Sequence, residues 1–429
     1  MVTPRDLQDT AERALALMRA QGFEHAQVSA SLVRQNEVNI ALNEASLMRS
    51  TESQNLALVG LVDARLASTE LTDFDPDGLR ESVAELFADA RGAPQDEANA
   101  VSSGQRARIV QGPQRSDPAL LADKLRELLE FRDAETPLMM LDEGFVSHRL
   151  AQSHVLTSGG SDLAASVGCH AVSVFGTARD GRLSSSFNHA GGNCDDLAAG
   201  PVVERFGIAD MLRDTVQQVR TQPIGGKFVG EVVLTAPAVN DLLIWLEGQI
   251  GDLQLIAGSS LYRDRVGSAI ASPLLSLRSR FDAPGVAALS ADGFFTPPVE
   301  VLRQGMLMTL APSLYGSRKT GLPHVPTAAG GWEVPAGDVP RAQLPSGVAR
   351  GAVVGRLSMG RPAPNGDFSG VIKNSFVITD GIVGPALSET MIAGNIAQML
   401  RDVAAVSRER IDTGATLLPS LRIGGVHFS

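Results

Sequence analysis

The sequence predicts an α+β protein. An N-terminal domain, residues 1–222, is read as a curved, mostly antiparallel sheet with flanking helices, and a C-terminal domain, residues 223–429, as β-rich and barrel-like with a few helices. Three observations carry this reading. Helix-period and strand-period stretches are segregated along the chain rather than strictly alternating, which favours α+β over a doubly wound sheet. The strand stretches of the first half alternate apolar and polar residues, the pattern of antiparallel sheet with one wet face. The chain has 429 residues, 44% hydrophobic and 20% charged, which is ordinary globular composition and long for a single core.

The first helix is signed by Thr3 as N-cap, Pro4 at the first helical position and Asp6 at the positive end of the dipole. Leu7, Ala11, Ala14, Leu15 and Met18 form its apolar stripe, and Gly22 is its stop. The period then changes to two, with Val28, Ala30 and Leu32 followed by Val38, Ile40 and Leu42. A further strand pair is expected over Leu47–Val62. Asp75 and Pro76 open a second helix that buries Leu79, Val83, Leu86 and Ala90 and ends at Gly92. Residues 93–116 are polar and irregular and read as an exposed connection. Asp117-Pro118 starts a third helix ending near Arg132. Strand patterning returns from Pro137 to His189, with turns at Ser158-Gly159-Gly160 and Arg179-Asp180-Gly181, and a helix is expected near Val203–Val219. TQPIGGK, Thr221–Lys227, reads as the domain boundary.

The second half opens with a strand at Phe228–Leu234 and a helix over about Pro237–Gln249. Asp380-Gly381 is a two-residue hairpin turn between Phe376/Ile378 and Ile382/Val383. A helix is expected over about Thr390–Val406, burying Ile392, Ile396, Met399 and Val403, and a strand near Leu418–Phe428.

The charge balance, 37 Lys+Arg against 48 Asp+Glu for a net −11, contains no basic block and argues against direct nucleic-acid binding. Two cysteines, Cys169 and Cys194, are too few for a disulfide framework or a Cys-based zinc site. The N-terminus has no signal-peptide layout, and no apolar run is long enough to span a membrane, so a cytoplasmic location is expected.

Catalytic motifs are mostly missing. There is no G-x-G-x-x-G after a strand, no Walker loop, no G-x-S-x-G and no S-x-x-K. GSRKTG, Gly316–Gly321, has the residue types of a phosphate loop in the wrong order. None of the seven histidines is followed by glutamate, so there is no His-Glu zincin helix. His189, beside Asn188 and near Cys194 and Asp195, is the best leftover cluster. A tertiary metal site built from His170, His189 and Cys194 stays open, with isolated surface or hydrogen-bonded histidines as the simpler reading.

The run GDFSGVIKNSFVITDGIVGPALSETMIAGNIAQML, Gly366–Leu400, resembles the terminal signature of the TldD/TldE (PmbA) family, also labelled modulator of DNA gyrase. That signature comprises a G-D-F-S stretch, an Ile-x-x-Gly hairpin and a T-I-A-G-N helix start. Ser68–Glu97, the TSGG turn at Thr157–Gly160 and SRFDAPGV at Ser279–Val286 resemble further family segments, so the likeness is spread over nearly the whole chain. The resemblance implies a branch point. The TldD branch looks like a metallopeptidase with a His-Glu-x-x-x-His helix and a downstream cysteine as ligands, whereas the TldE branch lacks them and pairs with TldD. Here the matching strand-helix, Glu231–Leu246, has no histidine, and GRLSMG, Gly355–Gly360, has no cysteine. The chain therefore resembles TldE.

The resemblance implies a non-metal subunit of a cytoplasmic zinc peptidase, with no cofactor of its own and zinc in a TldD-like partner. It would complete the cleft for peptides or unfolded proteins. A homodimeric binding or regulatory protein of the DNA gyrase modulator type is the alternative. On this reading the turn-rich Gly360–Gly370 segment lies where the partner branch keeps its cysteine. Arg361 is placed to meet a peptide or partner carboxylate and Asp367 to cap a turn, while Asn365 and Ser369 complete the candidate cleft. The simpler reading is a structural loop.

Overall fold

The structure is a computed structural model that describes residues 4–73 and 75–429. Thr3 and its capping role lie outside the described residues. The first half contains α1 (Pro4–Gln21), β1 (His25–Ala41), β2 (Glu44–Val62), β3 (Arg65–Leu71), α2 (Pro76–Gly92), β4 (Arg106–Gln111), α3 (Pro118–Glu135), β5 (Met139–Thr157), β6 (Asp162–Asp180), β7 (Leu183–Ser184), β8 (Asn188–Cys194) and α4 (Ile208–Gln217). The second half contains β9 (Phe228–Leu234), α5 (Ala236–Ile250), α6 (Asp252–Ile256), β10 (Leu277–Arg280), β11 (Glu300–Arg303), β12 (Met306–Leu307), α7 (Leu314–Thr320), β13 (Gly331–Glu333), β14 (Arg350–Val354), β15 (Arg356–Ser358), β16 (Asp367–Lys373), β17 (Phe376–Thr379), β18 (Ile382–Ala386), β19 (Thr390–Asn395), α8 (Ile396–Arg401), β20 (Val403–Asp412) and β21 (Leu417–Phe428).

The first sheet runs β3-β2-β1-β5-β6-β4, with β7 and β8 also paired to β6. β1, β2, β5 and β6 form antiparallel pairs, and β1 lies between β2 and β5 along most of its length. Successive side chains of a strand point to opposite faces. The buried apolar residues of β1, Ala26, Val28, Ala30, Leu32, Val38 and Ile40, are accordingly all even-numbered, with Arg34 and Asn36 interrupting the row. Val28, Ala30 and Leu32 pack with Leu7, Ala11, Leu15 and Met18 of α1 and with α2. Further along the same side, Val38 and Ile40 pack with Leu121, Leu125 and Leu128 of α3. The caps follow the sequence reading. Asp75 accepts the N–H groups of Asp77 and Gly78, and Asp117 accepts those of Ala119 and Leu120. These bonds satisfy helix donors that have no intrahelical partner.

The second sheet has thirteen strands along the path β12-β11-β10-β13-β21-β9-β14-β17-β18, with β15, β16, β19 and β20 branching from it. β21 is its hub, pairing with β9, β13, β19 and β20. The expected β-rich half is present, but the sheet does not close into a barrel. The path ends on β12 and β18, whose strand partners among the described residues are β11 and β17; outside the named strands, Met306 bridges Ala269 and Ala386 O accepts Gln222 N–H.

Four local expectations are corrected. Leu47–Val62 belongs to one long strand, β2, whose partner on the far side is β3. The connection over residues 93–116 contains β4, which pairs in parallel with β6; parallel pairing carries no local turn signal. The Val203–Val219 helix is a 3-10 turn at Val202–Glu204 followed by α4, separated by Gly207 at φ +75°. The helix expected over Thr390–Val406 is a strand, a six-residue helix and another strand. Ile392 pairs with Phe428, and the main chain of Asn395 leaves the sheet to start α8.

The two halves touch at several places. Gln27 Nε2 donates to Ala291 O at 2.9 Å, Gln111 Nε2 to Asp282 O at 2.7 Å, and Gln218 Nε2 to Ser375 O at 3.0 Å. Tyr315 Oη and Lys319 Nζ both reach Asp96 at 2.8 Å. GSRKTG therefore forms most of α7 and supplies this clamp.

Candidate functional site

The antiparallel pair β15–β16 aligns Ser358 with Val371 and leaves Met359–Gly366 as the connecting loop. Two prolines and two glycines at positive φ, Gly360 at +57° and Gly366 at +91°, give the loop a fixed course. At Gly366 glycine is required twice over. Its φ disfavours any Cβ, and a Cβ there would lie 3.2 Å from Ala397 N, Asn395 Oδ1 and the Trp245 ring, closer than ordinary contact. The loop closes on itself through Gly366 N–H to Ala363 O at 2.8 Å and Ala363 N–H to Asp367 O at 2.9 Å.

α5 is what the loop rests on. Trp245 Nε1 donates to Ala363 O at 3.2 Å, and Gln249 Nε2 donates to Pro364 O at 3.0 Å. The two side chains are four apart, so they share one helix face. Both are buried, and Gln249 is only 1% exposed. Gln249 Oε1 in turn accepts Leu261 N–H at 2.9 Å, and Trp245 meets Tyr262 edge-on, with ring centroids 6.1 Å apart. The loop is thus held down on the helix by two side-chain donors aimed at its carbonyls.

On the loop's other flank, Asp367 Oδ2 accepts Asn365 Nδ2 at 2.8 Å and Asp367 Oδ1 accepts Asn395 Nδ2 at 2.8 Å. These two bonds, Asn395 first, hold the Asp367 carboxyl below its ordinary range. Asn395 Nδ2 also reaches Asn365 O at 2.9 Å, and Asn395 Oδ1 caps α8 through Gln398 N–H at 3.0 Å. Of the four residues expected to form a cleft, Asn365 and Asp367 are joined directly. Ser369 follows on the same side of β16 and is exposed. Arg361 is exposed and makes no hydrogen bond or ion pair among the described residues.

Sequence reading missed Asn395, Trp245, Gln249 and a second group around Asp241. Burial pushes the Asp241 carboxyl up to about 6, while the Leu357 N–H and the Arg356 guanidinium pull the other way. Arg356 spans to the first half, lying 4.4 Å over the Phe187 ring and donating to Phe187 O at 3.1 Å. Burial and then Arg356 lower the His189 imidazole. The advance signals for Asn395 were its residue type, favoured at an N-cap, and its place at the end of the T-I-A-G-N helix start. Trp245 and Gln249 are separated from their loop partners by more than a hundred residues.

A metal site of the His-Glu-x-x-x-His type needs nitrogen and carboxylate ligands on one helix face together with an outside thiolate. α5 carries no histidine, and its buried face presents the Trp245 indole and the Gln249 amide to the loop. Both cysteines are buried in the first half. The donor set of α5 and its loop does not fit such a metal. His170, His189 and Cys194 do not converge either. His170 lies opposite Cys194, but His189 lies opposite Phe175, five residues and roughly 16 Å along the strand. Among the described residues no three His, Cys, Asp or Glu side chains are grouped to hold an ion. Among the described residues no helix is long and apolar enough to cross a membrane.

Fold and site together define an α+β protein of two sheets whose helix α5 holds down the 359–366 loop. Residues 227–429 match the family described as PmbA/TldA metallopeptidase C-terminal domain. The metalloprotease PmbA of Escherichia coli O157:H7 is 26% identical over 236 residues, a match that covers 51% of this chain and 50% of that relative. Residues 227–429 thus carry a domain of the TldD/TldE/PmbA family. Solved structures extend the likeness to the whole fold. TldE from Thermococcus kodakarensis superimposes with a TM-score of 0.82 at 18% identity, over 97% of this chain and 99% of that one. A protein from Bacteroides thetaiotaomicron assigned as a modulator of DNA gyrase gives 0.85 at 18% identity, over 100% of both chains.

Proposed function

We propose that this chain is the non-metal, TldE-like subunit of a cytoplasmic TldD/TldE-type zinc metallopeptidase. In this reading residues 1–222 and 223–429 are its two domains, and it completes the cleft that receives peptides or unfolded proteins. One observation carries the proposal. On α5, which the sequence resemblance sets against the ligand helix of the metal-bearing branch, Trp245 and Gln249 clamp the 359–366 loop. That arrangement supplies no metal-activated water, and the described residues near it offer no nucleophile paired with a base. Arg361, Asn365, Asp367 and Ser369 would then face substrate or partner rather than perform chemistry.

The test is peptide cleavage by the rigorously purified single chain and by its mixture with a TldD-like subunit. The expected result is no turnover alone and chelator-sensitive turnover in the mixture. Robust cleavage by the single chain would overturn the reading. Function as a homodimeric regulator would show instead as a stable homodimer with no activity in either arm.

A further inference from the structure

We propose that the outer edge of β4 is a strand-addition site for an extended peptide carrying acidic residues at alternate positions. Among the described residues β4 pairs with β6 alone, in parallel, from Arg106 opposite Asp162 to Gln111 opposite Val167. Asp162 N–H donates to Gln105 O at 2.8 Å, which fixes the parity of the ladder. In a parallel pair the main-chain groups of alternate residues point to opposite sides. Gln105, Ala107, Ile109 and Gln111 therefore face β6. The N–H and C=O groups of Arg106, Arg108 and Val110 face away from it, and no main-chain group among the described residues pairs with them there.

Edges of this kind are ready templates for a further strand, and natural proteins blunt them with short strands, charged side chains, proline, bulges or covering segments. β4 has no proline or bulge; its protection is its two arginines, which repel a basic strand but not an acidic one. Its register with β6 is unbroken, and its alternate side chains are exposed, Val110 to 76%. Arg106, Ala107, Arg108 and Asp162 line a recess of about 350 Å³ beside the edge.

The side chains specify the occupant. Arg106 has no counter-ion among the described residues. Arg108 is fixed by Asp162, through Nη2 to Oδ2 at 2.7 Å and Nη1 to Asp162 O at 3.0 Å. Asp162 is itself held by His154 Nε2 at 2.8 Å. This leaves one positioned guanidinium and one unpaired guanidinium two residues apart on the same face, followed by an exposed valine. An added strand presents every second side chain to that face. A peptide with carboxylates opposite Arg106 and Arg108 and an apolar residue opposite Val110 matches it. The chain as a whole carries −11, so this local positive edge selects against its own surface and for an acidic guest. Gln111, the last residue of β4, bonds Asp282 O and Ala283 O of the second half, so the guest would run toward the junction of the halves. The proposal takes its biological sense from the peptide-handling reading above, but its test needs no partner subunit and no cleavage.

The experiment is a fluorescence-anisotropy titration of the full chain against a labelled acidic–apolar peptide of about eight residues, roughly the length of a natural strand. Saturable, salt-sensitive binding is expected. Val110→Pro removes one outward N–H and spares the ladder to β6, a placement that edge strands tolerate. It should weaken binding about tenfold, as should Arg106→Glu or N-methylation of alternate peptide amides. Circular dichroism and thermal melts establish that both variants fold. If either fails to fold, the N-methylated peptide against the unaltered chain decides. Undiminished binding to Val110→Pro, equal binding of a basic peptide, or no saturable binding at all would overturn the proposal. So would a homodimer that Val110→Pro dissolves, which would make a second copy the occupant.

Discussion

The side-chain amide of Asn395 joins two elements at once: its Nδ2 donates to Asp367 Oδ1 at 2.8 Å, and its Oδ1 accepts Gln398 N–H at 3.0 Å. The start of α8 and the start of β16 are therefore positioned by one residue, and the 359–366 loop leaves from between them. Asn395→Ala should cost about 1 kcal/mol from the lost cap alone. It should also return the Asp367 carboxyl toward its ordinary range. Urea denaturation measures the first effect, and carboxyl titration by NMR the second. An unchanged Asp367 titration would show that the bond does not form in solution.

Gly366→Ala should destabilise the chain by about 1–2 kcal/mol, because a left-handed backbone is unfavourable for a residue with a Cβ. The new methyl would also press on Ala397 N and the Trp245 ring. Since Trp245 holds the loop, its fluorescence should shift toward that of a more solvated indole. A Gly366→Ala protein with unaltered stability and emission would contradict the observed packing.

Asp214, on α4, is raised to about 6, chiefly by burial and then by Asp210, with Arg341 opposing. A raised carboxyl binds its proton more tightly in the folded state. Its contribution to stability is complete below the ordinary value near 3.8 and is lost as pH rises through about 6. Asp214→Asn should therefore stabilise the protein at pH 8, by on the order of 2 kcal/mol, and change little at pH 3.5. Chemical denaturation of both proteins at the two pH values checks the sign.

His170 is buried, with His148 edge-on at 5.3 Å between ring centroids. Burial and then His148 lower its imidazole, and Arg205 adds to this, against opposing contributions from Asp195 and Asp196. For a base lowered in the folded state, stability is complete above the ordinary value near 6.5 and falls as the solution is acidified through that range. His170→Gln should flatten the fall in stability between about pH 7 and 5. An identical slope in the variant would assign the acid sensitivity elsewhere.

The parts of the fold that the sequence announced are those fixed by neighbours in the chain. Asp75-Pro76 and Asp117-Pro118 cap their helices with bonds spanning two or three residues, and Asp380-Gly381 turns a hairpin whose strands flank it directly. β4 was hidden because its partner, β6, lies more than fifty residues away. The misread helix over Thr390–Val406 has a physical cause. Ile392, Ile396, Met399 and Val403 fall at helical spacing, yet they are buried from a strand, a short helix and a second strand in turn. At the candidate site, Asn365 and Asp367 were legible as turn chemistry. Their closure by Asn395, and the docking of the loop on Trp245 and Gln249, depend on tertiary approach and left no local trace.

β21 sets a timetable for synthesis. Leu421 pairs with Leu234 across about 190 residues, and β13, β19 and β20 join the same strand. As the chain leaves the ribosome, β9 and α5 emerge long before the strand that must lie beside them. Loop-closure entropy charges only slowly for such length, but the delay leaves an apolar, unpaired β9 exposed meanwhile. The first sheet, whose β1, β5, β6 and β8 are complete by Cys194, can be assembled first. A nascent chain stalled before Leu417 would thus hold a finished first sheet and an open second one, the state in which chaperone binding and proteolysis would fall on the second half.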